Sequence, residues 1–212
     1  MGKPPFVNRQ TYLLRSNEPD AVRRFATFAK AGELIIMPTD TVYGIGCDAF
    51  NEEAVAKLYE AKQRPYNKAI PILLAEVNQL HRVVTHIPDE ARDLIRRFWP
   101  GSLTIILPKN PDLPANISPD NTVAVRIPDH ALTRSIIRMT GGAMAVTSAN
   151  LSGEDAAVNG DEAMRIFNGI VAAVLDDGPS RQGVASTVVD CSGATVKVLR
   201  EGLITKRDLV GD

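Results

Sequence analysis

Four short polar segments of this 212-residue chain sit at the ends of strand-like runs. Strand ends are where open α/β sheets hold their ligands. The first segment is Pro38-Thr39-Asp40-Thr41-Val42-Tyr43-Gly44. Its two hydroxyls, carboxylate and phenol could orient a small polar ligand, or could cap a turn by satisfying loop backbone groups. The second is Lys62-Gln63-Arg64-Pro65-Tyr66-Asn67-Lys68, with three cations in seven residues. A cation closing a helix complements the helix dipole. That accounts for Lys62 but not for Arg64 or Lys68. Pro65 takes the chain out of the helix, so these cations sit on an irregular turn suited to a polyphosphate or a carboxylate.

The third segment is Thr147-Ser148-Ala149-Asn150-Leu151-Ser152-Gly153. Its hydroxyls and amide can hold a phosphate or ribose, and they also make Asx and Ser/Thr turns. The fourth joins Ser186-Thr187 to Arg200-Glu201-Gly202, and Arg126 belongs with it. An arginine that closes an apolar strand is often an ion-pair partner. Ser102 and Thr104 open another strand. The chain has neither a P-loop nor a GxGxxG fingerprint. No histidine neighbours Ser148 or Ser152 in sequence to form a nucleophile–base pair.

The elements that must position these segments alternate between helical and strand periodicity, which argues for an α/β fold. Helices are expected from Ser16-Asn17-Glu18-Pro19 to Gly32, from Asn51 to before Pro65, from Pro88 through Phe98, from Asp129 through Ile137, and over Asp161–Phe167. Eight strands are expected, at Leu34–Met37, Ile70–Leu74, Leu103–Leu107, Thr122–Val125, Ala143–Val146, Val171–Leu175, Thr187–Val189 and Val196–Leu199. The last strands lack helices long enough for parallel crossovers, so the sheet should be mixed. Residues 108–121 read as a loop. The polar stretch from Asp176 to Gly183 reads as a mobile segment over a site.

Composition narrows the class. At about 150 residues per domain, and with no proline- or serine-rich linker, residues 1–212 read as one domain. Apolar residues make up 44% and charged residues 23%, which excludes wholesale disorder. No apolar run reaches the ~20 residues of a membrane helix, and the first twenty residues lack a signal-peptide stretch. A cytoplasmic protein without membrane contact is expected. Cys47 and Cys191 read as buried hydrophobes. His81, His86 and His130 lack metal-site spacing, so no metal held by His or Cys is expected. The net charge of −1 does not indicate nucleic-acid affinity driven by bulk charge.

Seven motifs, PTDTVYG, AKQRP with Lys68, PGSLT, VAVRIP, SANLSG, STVVD and LREG, occur here in one order. In that order and spacing they resemble the YrdC/TsaC family of threonylcarbamoyl-AMP synthases over about residues 18–203. The resemblance implies a twisted mixed parallel/antiparallel α/β sheet with helices around a deep basic cavity. It implies synthesis of threonylcarbamoyl-adenylate and pyrophosphate from L-threonine, bicarbonate and ATP. Partner proteins would then pass the threonylcarbamoyl group to the tRNA adenosine beside the anticodon, with direct tRNA contact as a further expectation.

Carried over by residue, Lys62, Arg64, Ser148 and Asn150 match the family's KxR…SxN signature for ATP phosphates. Lys68, Thr104 and Arg200 match ATP-contacting positions. Thr41, within Thr39-Asp40-Thr41-Val42-Tyr43, and Ser186 match positions near the threonine, and Thr39 and Tyr43 are assigned with them. Mg2+ would be shared with the phosphates. Some longer relatives have a threonine-contacting histidine where this chain has Leu73. They also carry a further C-terminal domain, which aligns this chain with the short form. The Asp176–Gly183 stretch is the expected lid over a labile carbamate. Two other readings stay open here: an RNA-binding module without synthase activity, and a paralogue of the same fold with altered carbamoyl or adenylate chemistry.

Overall fold

A computed structural model describes residues 10–210. The expected lack of a signal-peptide stretch falls partly on residues 1–9, which lie outside those described. Ten strands form one sheet in the order β1-β8-β2-β3-β7-β4-β6-β5-β9-β10. They are β1 (Tyr12–Arg15), β2 (Ile35–Met37), β3 (Gly44–Asp48), β4 (Ile72–Leu74), β5 (Leu103–Pro108), β6 (Thr122–Arg126), β7 (Ala143–Ser148), β8 (Ala173–Asp176), β9 (Thr187–Asp190) and β10 (Lys197–Arg200). The pairs β1–β8, β2–β8, β4–β6 and β5–β9 are parallel and the remaining pairs antiparallel. The mixed sheet matches the expectation. The strand count does not: β1 and β3 are additional. β3 has two glycines in five residues and no apolar run to announce it. Its Gly46 is needed for close approach, because a Cβ there would lie 2.6 Å from the Ala145 carbonyl oxygen.

The helices are α1 (Ala21–Lys30), α2 (Glu52–Ala61), α3 (Asp89–Phe98), α4 (Ala131–Met139), α5 (Gly160–Phe167) and α6 (Lys206–Val210). Three expected starts shift. The α1 helix begins at Ala21, because Glu18 turns its carboxylate back to the Arg15 N–H. The α4 helix is capped by the His130 ring rather than by Asp129. The Asn159 side chain opens α5. Two 3-10 turns, Val77–Arg82 and Ala115–Ile117, occupy stretches with no helical periodicity, the second inside the expected 108–121 loop.

Successive strand residues point to opposite faces. Leu34, Ile36, Ile72, Leu74 and Ala145 pack in one buried cluster, while Ile35, Met37, Leu73, Met144 and Val146 pack in the other. Phe25 and Ala29 of α1 and Ile136 and Ile137 of α4 cover the second face. The apolar cover ends near β4. Beyond it, on the same face, lie Arg126 of β6, in register with Leu73, and Thr104 of β5. That change from apolar to polar marks the site.

Helix α2 ends in a way that matters for the site. Arg64 N–H donates to the Tyr59 carbonyl and Gln63 N–H to the Glu60 carbonyl, the paired bonds of a Schellman closure. Gln63 sits at the left-handed position with φ of 50°. Glycine is usual there, because an L-residue costs about 1–2 kcal/mol in that conformation. The Gln63→Gly variant is therefore expected to stabilise the fold by about 0.5–1 kcal/mol, after the extra chain entropy of glycine is subtracted. Urea denaturation measures it. A lowered midpoint would mean that the Gln63 side chain makes a contact of its own.

Candidate active site

A cavity of about 220 Å³ opens on the second face of the sheet. At about 30 Å³ per water, that is room for a small molecule rather than a single trapped water. Thr39, Thr41, Tyr43, Arg64, Thr104, Ser148, Ser186 and Arg200, all expected at the site, line it together with Arg126. The lining has three guanidinium groups and no carboxylate. Its electrostatics therefore favour an anionic ligand. Leu73, Pro71 and Val146 form an apolar part of the wall.

One part is built on the β2–β3 connection. Arg126 is 6% exposed and its guanidinium is held on three sides. Nε donates to the Gly101 carbonyl at 2.9 Å, Nη1 donates to Thr41 Oγ1 at 2.9 Å, and Nη2 is ion-paired with Asp40 Oδ1. The Thr41 and Thr39 hydroxyls are 2.9 Å apart, and Thr39 also donates to the Val42 carbonyl at 2.6 Å. Each Nη of Arg126 carries two N–H groups, so one on each is left for a ligand. The ion pair anticipated for Arg126 is thus present and buried, and the arginine also faces the cavity.

The facing part comes from β5, β9 and β10. Parallel pairing of β5 with β9 brings Thr104 Oγ1 and Ser186 Oγ to 2.8 Å. Arg200 donates from Nε and Nη2 to the Ser186 carbonyl at 3.0 and 2.8 Å. Gly202 permits this closure, since a Cβ there would lie 2.4 Å from the Ala185 carbonyl oxygen. Arg64 reaches the cavity from the turn after α2, braced by donation to the Lys68 and Ala69 carbonyls.

Other expected residues are placed differently. Lys68 is exposed and does not line the cavity. Lys62 is 1% exposed and Asn150 8%, and neither lines it. Lys62 Nζ donates to the Ser148 and Asn150 carbonyls, both at 2.5 Å, and lies 3.3 Å from Asn150 Oδ1. Burial, and then the Arg64 charge, push this ammonium down to about 7. The three oxygens act the other way, because they bond the charged form. The Tyr43 phenol points away from the expected amino-acid contact. Its Oη lies 2.7 Å from the Gly178 carbonyl and 3.1 Å from Asp176 Oδ1. Burial raises its pKa well above the usual phenol value.

The expected lid is tied down. Ser180 N–H donates to the Val158 carbonyl, Gln182 N–H to that of Asp40 and Gly183 N–H to that of Thr41. No residue from Asp176 to Gly183 lines the cavity, and Ala185 and Ser186 form that part of the wall. His130 Nε2 sits 3.4 Å from Asp177 Oδ2. Sequence reasoning missed Pro71, Val146 and Ala185. Each has the signature of an ordinary core or loop residue, so no residue-level signal could have found them.

The Arg126–Asp40 pair yields a stability prediction. Removing one partner of a buried pair leaves an uncompensated charge, which costs about 3–5 kcal/mol. Asp40→Ala is expected to lose stability in that range by chemical denaturation. A loss below about 1 kcal/mol would mean that Gly101 and Thr41 satisfy the guanidinium unaided.

Comparison with known proteins gives the site its setting. Residues 27–202 match the Sua5/YciO/YrdC family model, described as "Telomere recombination". The chain is 39% identical over 198 residues to a Bacillus subtilis protein named threonylcarbamoyl-AMP synthase, covering 92% of this chain and 57% of that protein. A crystal structure of Pyrococcus abyssi Sua5 complexed with L-threonine superposes with a TM-score of 0.86 at 36% identity, over 91% of this chain and 57% of that one. The chain therefore spans a little over half the length of these two relatives. Escherichia coli YciO, with a TM-score of 0.82 at 21% identity over 92% of this chain and 97% of that one, shares the fold. From the matched family model and the identities over nine-tenths of its length, the chain belongs to the Sua5/YciO/YrdC family.

Proposed function

We propose that this chain is an L-threonylcarbamoyladenylate synthase, using L-threonine, bicarbonate and ATP and releasing pyrophosphate. The observation that carries the reading is the cavity itself, with three arginines, no lining carboxylate, and hydroxyls at both ends. In this reading the two free N–H groups of Arg126, beside Thr41 and Leu73, take the amino-acid carboxylate. Thr39 supports Thr41 from behind. The triphosphate lies toward Arg64, Ser148, Thr104 and Arg200, with Ser186 between the two ends and Lys68 outside the lining.

Threonine's amine, as the free base, attacks CO2 derived from bicarbonate, and the N–C bond forms with loss of a proton. A carbamate oxygen then attacks the α-phosphorus of ATP. The P–O bond to the β-phosphate breaks, and pyrophosphate leaves with the electron pair. The residues contribute positioning and charge neutralisation, the main protein task in transfers at phosphorus. The lining does not fit a resident Mg2+, because it has no carboxylate to hold one. Mg2+ enters with the triphosphate, as part of the substrate. Proteins that transfer the threonylcarbamoyl group to the tRNA adenosine next to the anticodon would consume the product, in the cytoplasm. Direct tRNA contact by this chain is part of the same proposal. No helix among the described residues is long and apolar enough to cross a membrane.

The test is product analysis. ATP consumption should require both L-threonine and bicarbonate and should yield AMP-containing adenylate and pyrophosphate. Formation of ADP would mean attack at the γ-phosphate and would sink the mechanism. No turnover, with steeply salt-dependent tRNA binding, would favour an RNA-binding module instead. Arg64→Lys keeps the charge but loses the guanidinium fork. It is expected to lower kcat/KM for ATP by about 10- to 150-fold, the loss of one charge-assisted contact of about 1.5–3 kcal/mol. A variant that turns over like the parent would remove Arg64 from the phosphate site.

A further inference from the structure

Lys62 and Arg64 are two residues apart, yet they face different surroundings. Arg64 lines the cavity, whereas Lys62 is buried beneath it. The left-handed residue between them, Gln63, reverses the chain at the end of α2 and sends the two cations in different directions. The partner motif divides in the same way, with Ser148 in the lining and Asn150 outside it. We infer that Lys62 is a positioning residue, a clamp that fixes the end of β7 so that Ser148 faces the ligand, and that it does not itself contact the triphosphate.

The argument rests on donor counting. An ammonium has three N–H donors and no acceptor. Lys62 Nζ has three oxygens within 3.3 Å: the carbonyls of Ser148 and Asn150, and the Asn150 side chain. No donor is left for a phosphate. Reaching one would strip a buried cation of its partners, which is strongly unfavourable. The Lys62 backbone holds the same loop from the other side, its carbonyl accepting from Ser152 N–H at 3.0 Å. Asn150 completes the unit. Its Oδ1 accepts from Ser148 Oγ at 2.5 Å, and its Nδ2 donates to the Leu151 and Glu154 carbonyls at 2.8 and 2.7 Å. The hydroxyl orientation of Ser148 is therefore set through Asn150, and the position of Asn150 through Lys62. Lys62 and Asn150 form a scaffold pair, and Arg64 and Ser148 a ligand-facing pair.

The part of the inference that concerns ATP rests on the proposed function, and the experiment separates the two. Amide hydrogen exchange is followed in the ligand-free protein. Lys62→Met should accelerate exchange at Asn150 and Ser152 at least about tenfold, and Arg64→Gln should leave those amides unchanged. ATP affinity is then measured across a salt series. Arg64→Gln should flatten the salt dependence, because an ion contact is lost from the ligand, whereas Lys62→Met should keep the parent slope. For turnover, Lys62→Met with Ser148→Ala should be within about twofold of Ser148→Ala alone, since a clamp has nothing left to position. If Lys62→Met does not fold, Asn150→Ala takes its place in the exchange and coupling arms. Salt dependence flattened in Lys62→Met as in Arg64→Gln would overturn the inference, as would additive losses with Ser148→Ala or unchanged exchange. A parent protein that binds no ATP would remove the proposed function, and the exchange result would still decide whether Lys62 clamps the loop.

Discussion

The guanidinium of Arg126 is a buried charge, and the β2–β3 connection is arranged around it. A buried cation must be paired and hydrogen-bonded to be tolerated. Here one partner comes from before β5 (Gly101) and two from the turn after β2 (Asp40 and Thr41). Meeting the needs of one side chain therefore joins β6 to a turn four strands away in the sheet order. The same bonds fix the Thr41 hydroxyl at the cavity wall. Stability and site geometry are not separable at this point, because the interaction that offsets the buried charge also points the polar groups inward.

The segment from Asp176 to Gly183 extends this coupling. Its backbone donates to the carbonyls of Asp40 and Thr41, and the Tyr43 phenol grips its start. The composition suggests looseness, whereas the contacts tie it to the very turn that carries Thr41. A polar, glycine-containing stretch can be ordered when a neighbouring loop offers it unpaired carbonyls.

Much of the fold was legible because apolar runs and caps carry it. Asn51 caps α2 as its position suggests, and both cysteines are buried. Two strands were hidden for different reasons. β1 has only one buried residue of four, as suits an edge strand. β3 has glycines where packing against β7 leaves no room for side chains. At the site, residue types identified the cavity but not which residues face it. Lys62 and Arg64 look equivalent in sequence, and only the backbone reversal at Gln63 separates them. Leu73 and Val146 read as core, and they are core on one side and wall on the other.

The parallel pairing of β1 and β2 with β8 has a consequence for biosynthesis. Tyr12 pairs with Ala173, and Ile35 pairs with the same residue. At about 5–20 residues per second, β1 waits on the order of ten seconds or longer for its partner to leave the ribosome. The cavity closes later still, because Ser186 immediately precedes β9 and Arg200 ends β10. Throughout that interval the apolar β2–β3 ribbon has a bare edge, the kind of surface that recruits foreign strands. Contacts so distant in sequence also slow the search for the native pairing. The architecture that gathers three arginines around one cavity thus leaves the edge of the β2–β3 ribbon unpaired until β8 has emerged.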